Sequence, residues 1–155
     1  MENFLTTGTL LGGRDAGRSQ CLRSSTCILA FRPSKSVWTM SDTFDFAKFK
    51  NAFEAKDAAG WAGCYADDVE WIEYRHQSPP RAPNIMRGKA TVSAFIEGVC
   101  VKPVSFTIED EIIVPGRAAF RLIVELGEGR RIIEHIMLYF ENGKIKREVD
   151  VEAWD

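Results

Sequence analysis

Two acidic positions in this chain have the surroundings that acid–base chemistry needs. Glu73 lies in the run Val69 to Tyr74, where Val69, Trp71 and Glu73 point one way and Glu70, Ile72 and Tyr74 the other. A carboxylate between aromatic neighbours loses part of its hydration, which raises its pKa toward that of a useful general base. The bland reading is a strand-end carboxylate that meets water or Arg75. Asp150 shares one side of a later run with Glu148 and Glu152, against Val149 and Val151 on the other. Whether those acids face the interior or solvent depends on how the strand is turned, and a bulge would shift it. His76 precedes a Pro-rich stretch, where an exposed loop histidine is the ordinary outcome. His135 shares strand parity with Ile133 and Met137. Cys21, Cys27, Cys64 and Cys100 show no CxxC spacing, so buried free thiols in a reducing compartment are expected, and no metal site is implied.

The elements that must carry these residues are legible from periodicity. Phe46, Phe49 and Phe53 recur at spacings of three and four, which predicts a helix capped by Ser41, Asp42 or Thr43. Asp57 can cap a second, short helix through Trp61, Cys64 and Tyr65. Val69 to Tyr74 alternates and predicts a strand. Pro79, Pro80 and Pro83 make 77–84 a loop, and Gly88 leads into a third helix with Val92, Phe95, Ile96 and Val99 on one face. After Pro103 come four strand-like runs: Val104 to Ile108 (extending to Val114), Ala118 to Leu126, Arg131 to Phe140 and Lys144 to Trp154. Pro115-Gly116, Gly127-Glu128-Gly129 and Asn142-Gly143 separate them, and Asn-Gly is a strong hairpin signal. Helices followed by an antiparallel meander define an α+β domain.

Composition bounds the rest. The chain has 155 residues, 45% hydrophobic and 27% charged, with a net charge of −2. This suits one globular domain, lacks the basic footprint of a nucleic-acid binder and holds no apolar run long enough for a membrane helix. Residues 1–39 carry five cations against two acids and are rich in Ser, Thr and Gly. They read as a disordered extension, either an organellar transit peptide or the product of a start codon upstream of Met40. The expected location is accordingly cytoplasmic, or organellar if the extension is a transit peptide. In Arg131 to Phe140, Ile136, Leu138 and Phe140 share one side while Ile133, Met137 and Tyr139 share the other. One side can pack on helices; the second needs a cover, and a homodimer through the sheet supplies it. His135 falls on that second side. Arg130-Arg131 reads as the polar end of a hairpin.

Several segments together resemble the SnoaL-like branch of the nuclear transport factor 2-like superfamily. They are F-A-K-F-K-N-A-F-E-A-K-D-A-A-G-W-A-G-C-Y-A-D-D from Phe46 to Asp68, V-E-W-I-E-Y at 69–74, R-G-K-A-T-V-S-A-F-I at 87–96 and F-E-N-G-K-I-K-R-E-V-D at 140–150. The resemblance implies a cone-shaped curved antiparallel sheet packed on three N-terminal helices, with an apolar pocket at the open end and no cofactor. In ketosteroid isomerases of this superfamily the general base matches Glu73. The two oxyanion donors match Phe49 and Ile136, which cannot donate, so that reaction is not expected. Limonene-type epoxide hydrolases match at Asp150, but their Arg-x-Asp is absent and their water-holding Tyr-x-Asn matches Trp71 and Glu73. The histidines of scytalone-type dehydratases have no counterpart on the central strands.

The resemblance therefore implies a small-molecule-binding domain for an apolar cyclic compound. Its chemistry would be cyclase- or isomerase-like acid–base work by Glu73 and Asp150. Trp61, Tyr65, Trp71, His76, Phe95 and Trp154 are the expected ligand contacts, with His76 at the mouth. The competing reading is a non-catalytic ligand-binding or protein-interaction module. The expected partners are the ligand and a second copy of the chain, with no nucleic acid and no membrane.

Overall fold

A computed structural model describes residues 43–155. The expectations for residues 1–39, for Cys21 and Cys27 and for capping by Ser41 or Asp42 lie outside the described residues.

The first helix, α1 (Phe46–Glu54), exists because its phenylalanines form one buried stripe. Phe46, Phe49 and Phe53 are all buried, and the Phe49 and Phe53 rings lie 5.5 Å apart. Its cap is Asp45, whose carboxylate accepts from the Lys48 N–H at 2.9 Å. The cap lies two residues beyond Thr43 because the residue just before the first buried turn must satisfy its free N–H groups. Lys56, at φ 56°, turns the chain into α2 (Ala58–Ala62), which Asp57 caps through Gly60 N–H at 3.0 Å. That helix stops before Tyr65, which instead opens β1 (Tyr65–Tyr74). A short strand, β2 (Asn84–Arg87), follows the Pro-rich segment. Only Ile85 and Met86 are apolar in it, too few for a period to show in the sequence. Gly88, at φ 80°, then introduces α3 (Lys89–Cys100).

The remaining strands are β3 (Ser105–Val114), β4 (Arg117–Gly127), β5 (Arg130–Glu141) and β6 (Lys144–Trp154). The β5–β6 hairpin turns on Asn142 and Gly143, with φ of 50° and 69°, the paired left-handed conformations of a type I′ turn. The sheet order is β2-β1-β6-β5-β4-β3. Neighbours are antiparallel except β1 and β6, so this curved, open sheet is mixed rather than wholly antiparallel. The reason is topological: the last strand returns beside the first in the same direction, which places β6 in the middle of the sheet.

The helices cover one face. Phe49, Phe53 and Trp61 meet Phe106 and Phe120 there, with Phe53 and Trp61 centroids 4.0 Å apart. Lys50 Nζ donates to the Ile108 carbonyl at 2.8 Å and Glu54 accepts from the Ile108 N–H at 2.8 Å, tying α1 to β3. Cys64 is buried and Cys100 half-buried, both as free thiols. The opposite face leaves Ile112, Met137 and Val151 exposed, with Arg117 and Arg147 over the Tyr139 ring.

Candidate functional site

Strand alternation brings the acids inward. On β6, Glu148 and Asp150 are essentially inaccessible to solvent, while Val151 on the other side is exposed. The register shift in the β5–β6 pair falls between Tyr139 and Phe140, so it leaves the parity of residues 148–152 intact. Glu73 of β1 pairs with Asp150 of β6, and Glu134 of β5 pairs with Glu152. Four carboxyls from three adjacent strands thus line one cavity of about 150 Å³. The rest of the lining is largely apolar, including Phe53, Trp61, Trp71, Phe95 and Phe106 with Leu122, Val124 and Ile132, and Arg75 and Lys102 also border it.

Each acid has its own setting. Glu73 Oε2 accepts from Asn84 Nδ2 at 2.9 Å and lies 3.3 Å from the Arg75 guanidinium. The Trp71 indole N–H donates to both Asp150 oxygens, at 2.9 and 2.8 Å. Burial pushes the Asp150 carboxyl up to about 8, an effect the indole partly offsets and the Glu73 charge reinforces. Burial also raises Glu152 to about 7, against the opposing effect of its Trp154 indole partner and with reinforcement from a hydrogen bond shared with Glu73. Glu134 is held well above the usual carboxylate range by burial and by the acids around it. Behind the cavity, Tyr65 donates to Glu148 at 2.5 Å and accepts from Trp61 Nε1 at 3.1 Å. Burial, with the nearby Asp150, raises Glu148 well above its usual range, and its Oε1 has no hydrogen-bond partner among the described residues. Carboxyls whose protons persist near neutrality can act as acids, and one kept as an anion by donors can act as a base.

Of the expected site residues, Glu73, Asp150, Trp61, Trp71, Phe95 and Trp154 line this cavity. Trp154 is half-exposed at the mouth. Tyr65 lies one layer deeper, in contact with Glu148 rather than with the cavity. His76 is exposed in the turn closed by the Arg75–Ser78 bridge and does not line the cavity. His135 is exposed on the far face of the sheet. Sequence reasoning passed over Arg75 and Glu134 as site residues. The signal for Glu134 was present: it shares parity with Ile132 and Ile136, an acid in the middle of a buried alternation. Among the described residues, no group of His, Cys, Asp and Glu is arranged to hold a metal ion. No described helix is long and apolar enough to cross a membrane.

Comparison with known proteins gives the same architecture. The model of the SnoaL-like domain matches residues 46–148, so the chain belongs to the SnoaL-like family. Among solved structures it is similar to a Mesorhizobium loti protein of the nuclear transport factor 2-like fold, of unknown function. That pair is 14% identical over 70% of this chain and 87% of that one, with a TM-score of 0.61. It is also similar to a Kribbella flavida protein provisionally named a ketosteroid isomerase, at 19% identity over 71% and 74% of the chains and a TM-score of 0.57. A Bacillus subtilis protein provisionally named an isomerase matches at 19% identity over 70% and 83%, with a TM-score of 0.53. No curated protein matches.

Proposed function

We propose that this SnoaL-like domain binds a small apolar cyclic compound and moves a proton on it without a cofactor, Glu73 acting as base and Asp150 as acid. The observation that carries this reading is the pairing of Glu73 with Asp150 on adjacent strands of one apolar cavity. Asn84 donates to Glu73 and the Arg75 guanidinium lies beside it, a setting that suits a proton acceptor. Asp150, raised to about 8, holds its proton at neutral pH and can donate it to oxygen charge developing on the ligand. The donor missing at Ile136 has a substitute next door, since Asp150 is the cross-strand partner of Ile136. The provisional isomerase names of two structural relatives are compatible with such chemistry. A cavity near 150 Å³ is of the size that accepts a single aromatic ring.

Two measurements test the reading. Mass spectrometry of material co-purifying with the full chain should recover a ring compound. In D₂O, the protein should accelerate exchange of the α-protons of cyclohexanone, followed by NMR, and Glu73→Gln should remove roughly 10²-fold or more of that acceleration. Exchange unchanged in Glu73→Gln overturns the base assignment. Ring binding without any exchange favours the non-catalytic module, a reading that the donor-less Phe49 and Ile136 positions support.

The far face of the sheet, with exposed Met137 and Val151 beside the half-buried Val149, is proposed as the contact with a second copy of the chain. Such a contact would cover the apolar residues that the helices leave bare.

A further inference from the structure

We infer that the cavity selects a ring compound bearing a protonated amine, seated between Glu134 and Glu152 with its ring against the aromatic wall. This deepens the proton-transfer reading and rests on it. Glu73 is held by Asn84 and Arg75, Asp150 by Trp71, and Glu152 by Trp154 and Glu73. Glu134 is the exception. Its carboxyl, on a residue 9% exposed, lines the cavity and has no hydrogen-bond or ion-pair partner among the described residues. It sits directly opposite Glu152 across the β5–β6 pair, and like charges so placed repel unless a proton or a cation lies between them.

The groups facing this pair come from every neighbouring element. From β1 comes Glu73, with Arg75 just after it, and from β6 Asp150 and, deeper, Glu148; β4 contributes apolar Leu122, and Lys102 follows α3. Arg75 is engaged with Glu73, and Lys102 is exposed. The Glu134–Glu152 pair is therefore left without a cation of its own among the described residues, and it offers nothing to hold a carboxylate or phosphate. A neutral polar group can meet one oxygen but cannot replace the proton that keeps the two carboxyls from repelling each other. An ammonium does both, and gains further from the faces of the nearby indoles. In the free protein a proton occupies the pair, because burial and neighbouring acids hold Glu134 and Glu152 above their usual ranges. On binding, the ammonium N–H groups donate to the carboxylates and the displaced proton leaves to the buffer. Asp150 keeps its own proton beside Trp71 for the reaction.

Calorimetric titration of the full chain with benzylamine and benzyl alcohol tests this, together with their two-ring naphthylmethyl counterparts. Each titration is run at about pH 6.5 in two buffers of different ionisation enthalpy. The amines are expected to bind roughly tenfold tighter than the alcohols and to release up to about one proton. Glu134→Gln should bring the amine-to-alcohol ratio close to one. Alcohols binding as tightly as amines, or amines binding without proton release, would overturn the charge selection while leaving the apolar pocket standing. Failure of all four compounds to bind would instead overturn the pocket reading itself.

Discussion

The indole of Trp71 and the carboxyl of Asp150 meet across the parallel β1–β6 pair, one N–H shared between two oxygens at 2.9 and 2.8 Å. A single neutral donor cannot replace the water that Asp150 loses on burial. The carboxyl thus stays close to its protonated form near neutrality, yet its orientation is fixed. Trp71→Phe keeps most of the ring packing and removes the N–H. It is expected to push the Asp150 pKa above about 8 and to cost about 1–3 kcal/mol. Carboxyl-carbon NMR titration and urea unfolding read the two effects; an unmoved Asp150 titration counts against the relationship.

Stability should fall as pH rises through the neutral range. Asp150 and Glu152 titrate at about 8 and about 7 in the folded protein, well above unfolded carboxyls, so the folded state holds protons that the unfolded state has lost. Their contribution is complete below about pH 4 and is lost progressively toward about pH 8, at up to about 1.4 kcal/mol per pH unit for each proton. Asp150→Asn should flatten that limb. Urea midpoints between pH 5 and 9 that rise with pH in the wild-type protein would refute the account.

Glu148 is a buried acid with no ion-pair partner among the described residues, and Tyr65 is its donor. Glu148→Gln keeps an acceptor for Tyr65 and removes the charge, so stability at pH 8 should be unchanged or higher. Glu148→Ala leaves the Tyr65 hydroxyl without its acceptor and should cost about 1–3 kcal/mol. Equal losses for the two variants in thermal unfolding would contradict this division.

Phe53 packs on both Trp61 and Phe106 and forms part of the cavity wall. Phe53→Ala should cost about 3–5 kcal/mol and enlarge the cavity. Denaturant unfolding gives the first quantity. A shift in preference from one-ring to two-ring ligands gives the second.

If the far face of the sheet pairs with a second copy, Met137→Lys combined with Val151→Lys puts like charges into the contact. Sedimentation velocity at micromolar concentration should then show a dimer for the wild-type chain and a monomer for the double variant. A wild-type monomer removes the proposed interface.

Much of this architecture was legible in the chain itself. The Phe46, Phe49 and Phe53 stripe, the Asp57 cap, the Asn142-Gly143 turn and the alternation of β4, β5 and β6 are written in neighbouring residues. Helices, strands and tight turns answer to interactions a few residues long, and these determined the elements and the parity that Glu73 shares with Val69 and Trp71. Pairing is a different matter. That β6 lies parallel to β1, and so turns Glu148, Asp150 and Glu152 inward, depends on contacts between segments some 80 residues apart. No local pattern encodes which strand a carboxylate will face. Tyr65 and His76 illustrate the same limit, since each has a site-like neighbourhood in the sequence and neither borders the cavity. Only the assembled sheet decided that Glu73 meets Asp150 and that Glu134 meets Glu152, because their burial and mutual repulsion arise when distant strands are brought within a few ångströms.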